Sequence, residues 1–187
     1  MTKNESPVLN MTNTAHWQDR WWLLDVETSG LDREKDSIIA LRLAQLEQLK
    51  TVEERTILVQ PQEPLSPWAE KLTGISNRDL ERALPLEDAL AQLEAIQGRF
   101  LFLDRGFTRP FLENAYRRCG KEFPLCFLTL DCLLEQLGIP ASQNSRKLLE
   151  ALPAPPGSWP DVPPENRHLA QLYQLTRAVF YQLEEMQ

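Results

Sequence analysis

At 187 residues, with 42% apolar and 25% charged, the chain has the size and composition of one domain with a substantial core, and it needs no disulfides or structural metals to hold it together. Its 20 basic and 27 acidic residues leave a net charge of -7, which argues against a broad basic nucleic-acid groove but not against a metal-dependent nuclease, whose centre gathers carboxylates. Cys119, Cys126 and Cys132 are an odd number with no CxxC pair, which suits neither a disulfide framework nor a structural zinc site and suggests reduced, buried thiols; with no apolar run near the roughly 18 residues of a membrane span and no charged-then-apolar leader, a cytoplasmic protein away from the membrane is expected.

Residues 1–19 are polar and lack an apolar period, so they read as a flexible arm, and one domain spans 20–187. Trp21 to Val26 predicts a buried strand, and Ile38 to Leu46 and Thr51 to Gln60 predict two more, joined by a tight connection near Gln48 to Lys50. Three consecutive strands imply an antiparallel meander. Helices are expected at Trp68 to Leu72 and Leu86 to Ile96, then a strand at Phe100 to Leu103. Phe111 to Cys119 predicts a helix with Pro110 near its first turn, and Phe127 to Leu130 a short strand. Helices follow at Asp131 to Leu137, with Asp131 as its cap, and at Ser145 to Leu152. Six of the 14 prolines fall between Pro153 and Pro164, which predicts a loop, and a final helix runs from about Pro164 to Glu185. This order indicates an α/β fold with a mixed sheet flanked by helices.

Asp25 and Glu27 are two residues apart at the end of the first strand, so both carboxylates project from one face. Two acids so close repel unless a cation sits between them, and a divalent ion such as Mg²⁺ or Mn²⁺ suits carboxylate oxygen. Thr28, Ser29 and Gly30 follow, offering hydroxyl and backbone groups to a phosphate or sugar.

The segment LDVETSGLD resembles the first motif, DxETTG, of the DnaQ-like, or DEDD, 3′ to 5′ exonucleases, and the similarity continues through DSIIALRLAQ, LVQPQEPLSPWAEKLTGISNRDL and LDRGFTRPFLENAY. The resemblance implies a ribonuclease H-like fold, a three-stranded antiparallel meander plus parallel strands. It also implies a site in which four acids hold two metal ions about 3.5 to 4 Å apart beside a histidine or tyrosine base. By resemblance Asp25 and Glu27 are the first two acids, and Thr28, Ser29, Gly30, Leu31 and Phe107 contact the terminal nucleotide. In the second motif, similar to HNAxFD, Phe107 keeps the aromatic position but Thr108 stands where the third acid belongs, leaving only Asp104 as a displaced substitute. In the third, similar to HxAxxDA, one alignment puts Arg167 at the base and Leu172 at the acid; another, on His168 and Ala170, puts Tyr173 at the acid. Neither supplies a fourth carboxylate. A lone histidine in a helix's first turn is more often a surface residue, and the nearest acids, Asp161 and Glu165, lie upstream. Ala40 and Arg42 also stand where the family often carries Glu and Gly.

Two readings follow from the resemblance. One is a working exonuclease on a single-stranded DNA or RNA 3′ end, with Asp104, His168 or Glu165 recruited to help Asp25 and Glu27. The other, favoured by the missing charge, keeps the fold with chemistry impaired or lost, retains one weak Mg²⁺ or Mn²⁺ site at Asp25 and Glu27, and serves a polymerase or another protein partner. A Rossmann domain would want a glycine-rich turn where only Gly30 stands. A hydrolase would need a nucleophile and base, but only His16 and His168 are available. The basic stretch Arg105 to Lys121 could follow a strand backbone, with a solvated helix face as the blander alternative.

Overall fold

The computed structural model describes residues 18–103, 106–140 and 145–186. The expected meander is present: β1 (Arg20–Thr28), β2 (Ile38–Glu47) and β3 (Lys50–Leu58) pair antiparallel in sequence order. β4 (Arg99–Phe102) then lies parallel beside β1, and β5 (Phe127–Thr129) parallel beside β4, giving a five-stranded mixed sheet of order β3-β2-β1-β4-β5. The arm proposed for residues 1–19 falls almost wholly outside the described residues.

β1 reads as a nearly continuous apolar run because both faces of the sheet are covered. Trp22, Leu24 and Val26 pack toward α3 (Leu86–Glu94) and α4 (Thr108–Arg118). Trp21 and Leu23 pack toward α5 (Leu130–Gln136), α6 (Ser145–Ala151) and the long C-terminal helix α7 (Arg167–Glu185). Asp25 and Glu27 continue that second face, which brings them toward the start of α7. α1 (Pro67–Thr73) and α2 (Asn77–Leu80) cover Ile39 and Ala40 of β2.

Local chemistry accounts for the boundaries. Ser66 caps α1 from its hydroxyl, Pro67 occupies the first helical position, and Gly74 ends the helix at φ +70°. α2 was not expected from periodicity, being one turn long, yet Ser76 and Asp79 form a reciprocal capping box. α4 begins at Thr108, three residues before its expected start, because Pro110 lies in the first turn, where its missing N–H has no helical partner to lose. Thr129, not Asp131, is the N-cap residue of α5; Asp131 sits inside the first turn and accepts the Thr129 hydroxyl. α7 starts at Arg167 rather than Pro164. Asn166 caps it, accepting the N–H groups of His168 and Leu169 at 3.0 and 3.2 Å.

The β2–β3 turn is built from Gln48 and Leu49, both in the left-handed region at φ +51° and +57°. Leu49 is fully buried, and its carbonyl accepts the Tyr173 hydroxyl at 2.8 Å, so core contacts hold a backbone that glycine usually supplies. The proline-rich segment runs along this end of the sheet, where the Val162 carbonyl accepts the Thr51 N–H at the outer edge of β3.

The three cysteines are free, but none is fully buried: Cys126 is exposed and the others are half-buried. Cys132 and Cys119 lie at the margins of the two core clusters, and Cys126 lies in the connection before β5. Among the described residues, no helix is long and apolar enough to cross a membrane. In the basic stretch, Arg109 and Arg117 on α4 and Lys121 just beyond it are paired with Glu113, Glu34 and Glu94.

Candidate active site

Three residues converge where the second face of β1 meets the start of α7. Asp25, Glu27 and His168 place one donor atom each within 4.8 Å of one another, the one such His/Cys/Asp/Glu group found among the described residues. His168 Nε2 lies 3.5 Å from Glu27 Oε1, and its Nδ1 lies 4.0 Å from Asp25 Oδ2. The sequence favoured a surface role for this histidine. The Asn166 cap instead sets the first turn of α7 so that the ring turns toward the acids, two-thirds buried.

Two arginines enter the same cluster. Arg42 is directly opposite Asp25 in the β1–β2 register, and its Nε donates to Glu27 Oε1 at 3.1 Å. Arg167 Nε donates to His168 Nε2 at 3.0 Å.

Burial first, and the neighbouring Glu27 charge second, push the Asp25 carboxyl from 3.8 up to about 6, while His168 and Arg42 pull it back. The native state therefore takes up this proton before the unfolded chain does. The term adds stability as pH falls through about 6 and is complete near the ordinary aspartate value. Asp25→Asn removes the term. Urea denaturation is expected to find the variant about 1–2 kcal/mol more stable than wild type at pH 7.5, a figure lowered for the side chain's partial exposure, with the gap closing by pH 4. A gap that does not depend on pH would contradict this assignment.

The loop after β1 is built around Asp36. Its carboxylate accepts the Asp32 N–H at 2.7 Å and the Ser29 hydroxyl at 3.3 Å, and it lies so close to Gly30 that any Cβ there would collide with it. Ser29 also accepts the Ser37 N–H at 2.9 Å, while the Thr28 hydroxyl donates to the Gly30 carbonyl. The polar side chains of Thr28 and Ser29 are thus engaged within the loop. Leu31 is 75% exposed beside them.

Phe107 packs against Phe111 at the start of α4, with ring centres 4.7 Å apart and planes tilted by 48°, and Thr108 is buried in its first turn. Asp104 lies outside the described residues. Leu172 and Tyr173 both face the core, and the Tyr173 hydroxyl reaches the β2–β3 turn, at the opposite end of β1 from Asp25. Asp161 pairs with Arg177 at 3.6 Å, and Glu165 is exposed, its N–H held by Glu54. Neither belongs to the acid cluster. Arg42 and Asp36 are members of this region to which sequence reasoning gave no role, and Arg167, which one alignment put at the base position, instead donates to His168. An arginine facing an aspartate across a strand pair was the available signal for the first.

The exonuclease family model RNase_T matches residues 23–140. Among curated proteins, the chain is 27% identical over 122 residues to the PolC-type DNA polymerase III of Caldanaerobacter subterraneus subsp. tengcongensis, covering 64% of this chain and 9% of that one. The Thermotoga maritima PolC-type enzyme is 28% identical over 167 residues, covering 79% and 12%. The chain therefore spans only about a tenth of these relatives' length. Among solved structures, the nuclease domain of 3′hExo, a DEDDh family member bound to rAMP, superposes with a TM-score of 0.66 at 16% identity, covering 92% of this chain and 95% of that one. Exonuclease X in complex with 5′ overhanging duplex DNA gives 0.60 at 20% identity, covering 89% and 92%. These likenesses establish the ribonuclease H-like fold.

Proposed function

The chain belongs to the exonuclease family, and from that premise we propose that it engages the 3′ end of a single-stranded DNA or RNA at Asp25, Glu27 and His168 while hydrolysing it far more slowly than a four-acid site would. The observation that carries this reading is the donor set: among the described residues, only two carboxylates meet at the cluster.

That donor set does not fit a pair of divalent ions. Two carboxylates balance half of the four positive charges, Glu27 already holds a guanidinium, and the outer nitrogen of His168 accepts from Arg167. A single Mg²⁺ or Mn²⁺, weakly held by Asp25 and Glu27, is what the set supports. By the family resemblance, Thr28 to Leu31 and Phe107 would contact the terminal nucleotide, and the exposure of Leu31 leaves it free to lie against a base. His168, as placed, would orient the strand end rather than take a proton from water. The similarity to a segment of PolC-type polymerases supports a polymerase as the partner class.

The test is to incubate the protein and Asp25→Ala with a labelled single strand and Mg²⁺ or Mn²⁺. Loss of two ligands costs more than the 10- to 100-fold typical of one supporting residue, so shortening is expected to run more than about 100-fold below a four-acid relative. Vigorous digestion that Asp25→Ala abolishes would overturn the impaired reading.

A further inference from the structure

The last turn of α1 presents backbone carbonyls with no partner inside the helix, and two arginines take them. Arg42 Nη2 donates to the Thr73 carbonyl at 3.4 Å, and Arg167 Nη2 donates to the Leu72 carbonyl at 3.3 Å. Each guanidinium is held at its other end by the site: Arg42 by Glu27, and Arg167 by His168. Arg42 is the more deeply set. Its side chain is 13% exposed and that of Glu27 10%, so the pair is shielded from water and only weakly screened by salt. Residues directly opposite on paired antiparallel strands share a face, which places the same guanidinium beside Asp25 as well.

A cation fixed at two points between the acids and a helix end does for this site what a bound ion does elsewhere: it neutralises carboxylates that would otherwise repel. It also opposes any second cation there, since an arginine does not lose its charge in a protein. We propose that Arg42 is the resident cation of the site, standing in for a divalent ion and setting its low affinity for metal. This rests on the reading of Asp25 and Glu27 as the site's acids. It predicts that the folded site needs no metal, and that removing one side chain converts it into a metal-binding one.

The experiment is a Mn²⁺ titration, read by the electron paramagnetic resonance of free Mn²⁺, together with thermal melts with and without about 5 mM Mn²⁺, well above the range of a tight site. Wild type is expected to bind weakly and to melt at the same temperature in both conditions. Arg42→Met is expected to bind about 10- to 100-fold more tightly, to melt lower without metal, and to recover when Mn²⁺ is added. Adding Asp25→Asn to that variant should abolish the gain. Arg42→Lys, which keeps the charge, should keep the weak affinity, and Arg42→Gln serves if the methionine variant does not fold. Equal, tight binding by wild type and Arg42→Met would overturn the proposal alone. No binding by any variant would overturn it together with the reading of Asp25 and Glu27 as metal ligands.

Discussion

Tyr173→Ala is expected to cost about 3–5 kcal/mol of folding stability, the range for deleting a buried aromatic side chain. The ring is fully buried in the core between the sheet and α7, in the cluster that also holds Trp21 and Phe180. Its hydroxyl joins two segments distant in sequence, donating to the Leu49 carbonyl at 2.8 Å and accepting the Val162 N–H at 3.0 Å. Tyr173→Phe keeps the ring and strands both partners, so about 1–3 kcal/mol is expected. Tyr173→Asp, the change that one alignment suggests for rebuilding a fourth acid, would bury a carboxylate in apolar surroundings and is expected to prevent folding rather than restore a ligand. Urea midpoints for the first two variants, and circular dichroism for the third, decide the matter. A folded Tyr173→Asp protein would show that the position is not committed to the core.

Arg177→Ala is the second large effect, about 2–3 kcal/mol by the same denaturation measurement. Arg177 is 7% exposed, and its guanidinium donates to the Pro160 and Trp159 carbonyls at 2.6 and 3.2 Å, with Asp161 3.6 Å away. Asp161 is half exposed, so water can take over its charge, which keeps the cost below that of breaking a fully buried pair. Most of the loss comes from the two carbonyls. Arg177→Lys is expected to recover little, because one ammonium cannot reproduce the fork that reaches all three groups. A loss below about 1 kcal/mol, the worth of one ordinary hydrogen bond, would mean that water replaces these contacts.

What the chain reveals without coordinates follows from how local each feature is. The meander, the acids at the end of β1 and the irregular proline segment are written in short apolar runs, spacing and proline content. The resemblance to the exonucleases gave the parallel placement of β4 and β5, which periodicity alone does not. Features that depend on distant partners were not legible. Tyr173 looks like an apolar-stripe residue until its hydroxyl is found 124 positions away in sequence from its acceptor. Arg42 registered only as a departure from the family pattern, because its role needs the register with Asp25 and the end of α1 together. For His168 the sequence left a surface place and a recruited site role both open, because the direction of its ring depends on the cap at Asn166. The start of α4 was misjudged for a different reason: a proline was taken to mark a boundary that it merely tolerates.

The bridge between Thr51 and Val162 bears on how copies of this domain behave beside one another. β3 is an outer strand of the sheet, and an outer strand offers unpaired backbone groups to any extended chain nearby. Here the proline-rich segment docks against its start, pairs once through the Val162 carbonyl, and is flanked by Pro160, Pro163 and Pro164, which have no N–H to donate. Glu53, Glu54 and Arg55 put charge along the rest of the strand, and β5 at the other margin is only three residues long. The segment is thus a terminator that occupies the edge without propagating it. Disordering it, as Tyr173→Ala or Arg177→Ala would, should first show itself as edge-to-edge aggregation on storage.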